Sequence, residues 1–135
     1  MEKKLIYVAY KFKDADLKVL KQKLEKLTEI IEKNTDYKTF IFFRDAQKWG
    51  EIKMTMDEVV NKAIKFLDKC DAILVEASEK SNGMYFEVGY AKAQGKKVIV
   101  IHEKGTEVNF LSASADKTIE YSDLEDLKEK LRSIK

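Results

Sequence analysis

The sequence predicts an α/β protein, a three-layer α/β/α sandwich on a five-stranded parallel sheet. Three observations lead there. Short runs rich in β-branched and aromatic residues alternate strictly with longer segments of helical period, the pattern that feeds right-handed crossovers into a parallel sheet. The run "DAILVEA" is apolar almost without a break, as expected of a strand covered by helices on both faces. The 135 residues suffice for one hydrophobic core and contain no linker, repeat or low-complexity tract, so a single domain over residues 1–135 is expected.

The elements follow in order. "KLIYVAY" (4–10) reads as a first strand. Leu17, Leu20, Leu24, Leu27, Ile30 and Ile31 then recur at three- and four-residue steps, one face of a long amphipathic helix. "KTFIFF" (38–43) is a second strand, followed by a polar segment at 44–53. Thr55 with Glu58 forms a capping-box pattern opening a helix through Val59, Val60, Ala63, Ile64 and Leu67. Residues 71–77 are the third strand, 83–95 a helix ended by Gly95, 96–102 the fourth strand and 117–121 the fifth. A second capping box, "SDLE" at 122–125, opens a last helix through Leu124, Leu127, Leu131 and Ile134.

Composition narrows the function classes. Lysine and arginine total 26 against 24 acidic residues, a net charge of +2, so no general attraction to nucleic acid or membranes is expected and any anion site must be local. A single cysteine, Cys70, forms no internal disulfide and reads as a buried small residue. No apolar run approaches the roughly 20 residues that span a bilayer, and no signal segment opens the chain, so a cytoplasmic location is expected. His102 is the only histidine and has no cysteine beside it, which argues against a metal site. No cofactor is expected.

In a flavodoxin- or Rossmann-like sheet of this kind, ligands sit outside the carboxyl ends of the strands, where strand order reverses. Residues 9–13, 44–53, 76–83 and 102–106 should therefore surround one crevice. Glu87 lies in the opening turns of the helix that starts there, flanked by Met84, Tyr85, Phe86, Val88 and Tyr90. An acidic residue near a helix start also complements the helix dipole, and that is the simpler explanation. Against it, Met84, Val88 and Ala91 mark the buried stripe, which Glu87 adjoins, so its carboxylate should be partly desolvated. Ser81, Asn82 and Gly83 just before it are an ordinary helix entry, and equally a turn whose free N–H groups and hydroxyl can hold a phosphate.

These residues carry a resemblance. "CDAILVEASEKSNGMYFEVGYAKAQGKKVIVI" resembles the core of the nucleoside 2-deoxyribosyltransferase superfamily, in which a strand opening at Asp leads to a serine or aspartate six residues before a glutamate, then E-x-G-x-A and G-K-x-V. The resemblance implies that Glu87 is the nucleophile. Serine at Ser81 is closer to the branch of 2′-deoxynucleoside 5′-monophosphate N-glycosidases, where it contacts the 5′-phosphate. Tyr7 matches a family tyrosine on the first strand, while Tyr10 stands where that branch has glycine. "YVAYKFKDAD" is similar instead to the first strand of TIR domains, a related group that includes enzymes cleaving the glycosidic bond of NAD.

The chemistry so implied needs few groups. An ionised carboxylate can stabilise an oxocarbenium-like C1′ and capture it as a covalent intermediate, and an acid then has to protonate the departing base. The glycosidase branch has an aspartate in the helix before the third strand, and ungapped alignment puts Ala63 there. Either Glu58 or Asp57, a turn or more earlier, takes that role, or the leaving group needs no acid. Ala9, Tyr10 and Lys11 border the crevice as candidate substrate contacts; for Lys11 and Lys13, in a chain this rich in lysine, solvated surface is the simpler reading. Arg44 and Trp49 belong to a segment longer than the usual two- to six-residue loop, which suits a lid that stacks Trp49 on a base.

The expected function is cleavage of the N-glycosidic bond of a nucleotide or nucleoside, by hydrolysis or by transfer to a second base. The alternative is a nucleotide-binding or TIR-like interaction domain without turnover, or a TIR-like NAD hydrolase. A phosphoreceiver is disfavoured, because its aspartate should end the third strand, where Glu76 and Ala77 stand. A homodimer is expected, since related glycosidases complete each pocket with a neighbouring subunit.

Overall fold

The computed structural model describes residues 3–134. Its strands are β1 (Lys4–Ala9), β2 (Tyr37–Phe40), β3 (Ala72–Glu76), β4 (Lys97–Glu103) and β5 (Lys117–Tyr121). The helices are α1 (Leu17–Asn34), α2 (Phe42–Asp45), α3 (Met56–Lys69), α4 (Asn82–Ala93), α5 (Asn109–Ser114) and α6 (Leu124–Leu131). The strands form one five-stranded sheet in the order β2-β1-β3-β4-β5, and every pairing is parallel. This is the flavodoxin-like arrangement of the predicted three-layer sandwich. Strand order reverses between β1 and β3, which puts the crevice above their carboxyl ends.

Alternation along the strands divides the core. Ile6, Val8, Leu74, Ile99, Ile101 and Ile119 face one layer, the leucines and isoleucines of α1 together with Leu127 and Leu131 of α6. Tyr7, Ala9, Ile73, Val75, Val98 and Val100 face the other, built from Ala63 and Leu67 of α3, Met84, Val88 and Ala91 of α4, and Leu111 of α5. The α1 stripe buries Leu20, Leu24, Leu27, Ile30 and Ile31, each stabilising the fold by roughly 1.5–3 kcal/mol.

Local chemistry sets the element ends. The Asp16 carboxylate accepts from the N–H groups of Lys18 and Val19 and starts α1. The Thr55–Glu58 capping box starts α3 as predicted. α4 ends in a Schellman motif: Lys96 N–H reaches the Ala91 carbonyl, Gly95 N–H reaches that of Lys92, and Gly95 takes φ +74°. Asp71 accepts from Leu5 N–H and Asp116 from Val98 N–H at 2.8 Å, extending the ladder below the strands.

Three expectations are corrected. The second strand stops at Phe40, because the Asp45 carboxylate takes the Ile41 N–H at 2.9 Å and the Tyr10 hydroxyl takes the Phe43 N–H at 2.8 Å. These bonds wind Phe42 and Phe43 into α2 instead of leaving them to the sheet. The cap of α6 is Asp123, which accepts from Asp126 N–H, while the Asp126 carboxylate accepts from Ser122 N–H; the predicted box is displaced by one residue. The short helix α5 was not expected at all. Among the described residues no helix is long and apolar enough to cross a membrane.

Candidate active site

Period-two alternation in β1 turns Tyr7 toward the α3 and α4 layer, where its ring is 1% exposed. Its ring stacks on Phe40 with centroids 5.3 Å apart, and Phe40 stacks on Phe66 of α3 at 4.1 Å. That column fixes the ring and so aims the hydroxyl, which donates to Oε2 of Glu87. The two residues are 80 positions apart in sequence. Glu87 is partly buried, on the flank of α4 beside the stripe of Met84, Val88 and Ala91.

Burial pushes the Glu87 carboxyl up to about 7, and the Tyr7 hydrogen bond pulls the other way. Burial, reinforced by the Glu87 charge, holds the Tyr7 hydroxyl well above the ordinary tyrosine range, so it stays a donor. Tyr10 is raised as well, first by burial, with the Glu87 charge adding to it. The three groups therefore form one cluster at the switch point. Near neutral pH this carboxyl is therefore divided between its ionised and neutral forms.

Ser81 caps α4, its hydroxyl accepting from Met84 N–H at a long 3.4 Å. Asn82 and Gly83 open the helix and are exposed, so their N–H groups, which have no partner inside a helix, face the edge where a ligand would sit. A Cβ on Gly83 would meet nothing within 4 Å, which shows open space at that turn. Ala9 ends β1 and is buried. Lys11 reaches across to Glu79 at 3.6 Å, from the end of β1 to the loop before α4.

Other predicted residues are engaged elsewhere. Trp49 packs edge-on against Phe43 at 5.3 Å with Lys21 Nζ 5.0 Å from its ring, which places it over α1. Arg44 donates to the Thr39 carbonyl and to Asp45 at the β2 edge. Asp57 and Glu58 are exposed in the first turn of α3, and Glu58 closes the capping box, whose hydrogen bonds lower its pKa below the ordinary carboxylate value. Ala63 is buried among hydrocarbon, 4% exposed. His102 donates through Nδ1 to the Glu103 carbonyl at 3.0 Å. Cys70, at the far end of α3, is buried and its thiol is pushed up to about 12. Among the described residues no three His, Cys, Asp or Glu side chains are grouped to hold a metal.

The sequence reasoning passed over a second polar cluster. Glu76, 4% exposed at the end of β3, accepts from Tyr121 through Oε2 and from Ser78 N–H through Oε1. The available signal was position: Glu76 continues the Ala72 and Leu74 face of an apolar strand, where a carboxylate must find donors.

The family model for nucleoside 2-deoxyribosyltransferases matches residues 6–125. The chain belongs to the nucleoside 2-deoxyribosyltransferase family. The matched span contains Tyr7, Ser81 and Glu87. Solved structures similar to it include the CMP N-glycosidase BcmB of Clostridium botulinum, at 20% identity and TM-score 0.66 over 95% of this chain and 98% of that one. The 2-deoxyribosyltransferase of Bacillus psychrosaccharolyticus matches at 17% identity and TM-score 0.64 over 94% and 95% of the two chains. A conserved protein from Enterococcus faecalis V583 matches at 14% identity and TM-score 0.68 over 96% and 98%. At these identities what is shared is the fold. A search of curated proteins finds no match.

Proposed function

We propose that this deoxyribosyltransferase-family protein breaks the N-glycosidic bond of a nucleotide or nucleoside, with Glu87 as nucleophile. One observation carries the reading: a desolvated carboxylate at the switch point, held on one oxygen by the Tyr7 hydroxyl. Oε1 is left to meet the sugar. As the bond from C1′ to the base breaks, the ionised Glu87 stabilises the oxocarbenium-like centre and closes an ester on C1′. Water, or a second base, then attacks C1′ and releases the carboxylate. Ser81, Asn82, Gly83 and Lys11 take the 5′ end of the substrate.

The test is incubation with a panel of deoxynucleotides, deoxynucleosides and NAD, with released base followed by chromatography. Release that disappears in Glu87→Gln supports the reading. Binding without release by the wild type favours a binding domain, and release from NAD but from no mononucleoside or mononucleotide, cationic ones included, favours the TIR-like hydrolase.

A second copy of the chain is part of this reading. α4 exposes Tyr85 and Phe86, and α5 exposes Phe110, 75% accessible and edge-on to Tyr85 at 6.0 Å. Aromatic surface of this kind beside a site suits a homodimer interface. A dimer mass in solution at micromolar concentration is the expected result, and a monomer counts against it.

A further inference from the structure

Within one copy of the chain, the groups around the proposed nucleophile are poor proton donors. Tyr7 gives its hydroxyl proton to Glu87 itself. The Tyr10 hydroxyl accepts the Phe43 N–H, and burial together with the Glu87 charge makes it a weaker acid than an exposed tyrosine. The α3 side of the layer is hydrocarbon: Ala63 and Leu67 are buried and Phe66 stacks on Phe40. Glu58, at the top of the same helix, is closed into its capping box. His102 lies on β4, two strands from Tyr7 in the sheet order, about 10 Å to the side at the usual strand spacing and four residues beyond Val98, the residue in register with Tyr7 through Ile73, with its Nδ1 proton on the Glu103 carbonyl.

Charge tells the same story. The chain carries 26 lysines and arginines, yet among the described residues none forms an ion pair with Glu87, whose hydrogen-bond partner is the Tyr7 hydroxyl. A desolvated carboxylate without a counter-ion is complementary to a ligand that brings its own positive charge.

We infer that the substrate is a nucleoside or nucleotide whose base ring already carries a positive charge, a pyridinium or a ring-alkylated purine, so that the base departs neutral without an acid. This rests on the reading of Glu87 as nucleophile. In the first step the C1′–N bond breaks and its electron pair returns to the ring, cancelling the positive charge, while Glu87 forms the C1′–O ester. In the second, water attacks C1′, the ester electrons return to the carboxylate, and the spare proton of water goes to solvent. A neutral base leaving by the same route would depart as an anion, and a missing general acid costs about 10²- to 10⁴-fold in rate.

The experiment compares kcat/KM of the wild-type protein at pH 8 on matched pairs, with base release followed by chromatography. The cationic arms are nicotinamide riboside and 7-methylguanosine with their 5′-phosphates; the neutral arms are guanosine, 2′-deoxyguanosine and their 5′-phosphates. The expected result is a preference of about 100-fold or more for one or both cationic arms, lost with the rest of the activity in Glu87→Gln, and the two arms separate pyridinium from alkylpurine. Ala63→Asp, checked for folding by its thermal transition, should narrow the preference by speeding the neutral arms. Equal Glu87-dependent rates on neutral and cationic substrates overturn this inference and leave the reading of Glu87 standing. Absence of release from every arm, and from the wider panel, overturns both.

Discussion

Two tyrosine–glutamate pairs sit at the carboxyl edge of this sheet on opposite faces, and they are built for different ends. Glu76 is 4% exposed and has a donor on each oxygen, Tyr121 on one and Ser78 N–H on the other; the Ser78 hydroxyl in turn accepts from Glu103 N–H at 2.9 Å. That network ties β3 to β5 across β4. Glu87, among the described residues, has a donor on one oxygen, the Tyr7 hydroxyl, and is only partly buried. The residue types are the same, so identity does not separate a strut from the proposed nucleophile. Donor count and access do: a carboxylate satisfied on both oxygens stabilises the fold, whereas one held on a single oxygen keeps the other for a ligand.

The comparison can be broken most severely at the strut. Glu76→Ala takes the acceptor from the Ser78 N–H and leaves the buried Tyr121 hydroxyl only a long 3.5 Å contact to the Ser78 hydroxyl, a loss of roughly 2–4 kcal/mol, read as a fall in the denaturant midpoint. A change of less than about 0.5 kcal/mol, the scale of ordinary surface substitutions, would show that the network holds nothing.

Next in size is Tyr7→Phe. Removing the hydroxyl takes away the one bond that favours the ionised Glu87, worth about 1.5–3 kcal/mol for a charged acceptor. Turnover near neutral pH should fall roughly 10- to 100-fold. On the proposal that the ionised form is the active one, the acid limb of the pH–rate profile should move to higher pH. An unmoved limb would mean that the hydroxyl does not reach the reacting carboxylate.

Stability against pH sharpens the contrast further. The folded Glu87 titrates near 7, above its ordinary 4.5, so the folded state holds the proton more tightly than the unfolded chain. Its contribution is fully present below about pH 4.5 and is lost as pH rises through about 7. Glu87→Gln should therefore be more stable than wild type at pH 8 by about 1–3 kcal/mol, and the difference should shrink toward zero at pH 4. Thermal unfolding at the two pH values checks this. Glu58→Ala should do least, losing its capping box for about 1 kcal/mol of stability and leaving base release unchanged.

What the sequence made legible were the features written in neighbouring residues. Alternating patterns showed the five strands, Thr55 and Glu58 showed the start of α3, and Gly95 showed the end of α4. What it hid were the contacts between distant ones. The second strand ends early because Tyr10, 33 positions away, takes the Phe43 N–H, and no local pattern encodes that. α5 has six residues and one buried side chain, Leu111, too few for a period to show. Glu87 was visible as the odd residue in its run and Tyr7 only through the family resemblance, while the bond between them spans 80 positions. Glu76 and Tyr121 are 45 apart, and each alone reads as an unremarkable strand end.

The most direct test of Glu87 as the nucleophile is base release by wild type and by Glu87→Gln across pH 5 to 9, on whichever substrate the wild type cleaves. The wild-type rate should rise through about pH 7, where the carboxyl titrates, to a plateau. The Gln variant, folded and still able to bind, should fall about 10³-fold or more at the plateau, since charge stabilisation in a dry site is worth several kcal/mol. Full activity in the Gln variant, or a wild-type profile flat across pH 7, would contradict the account.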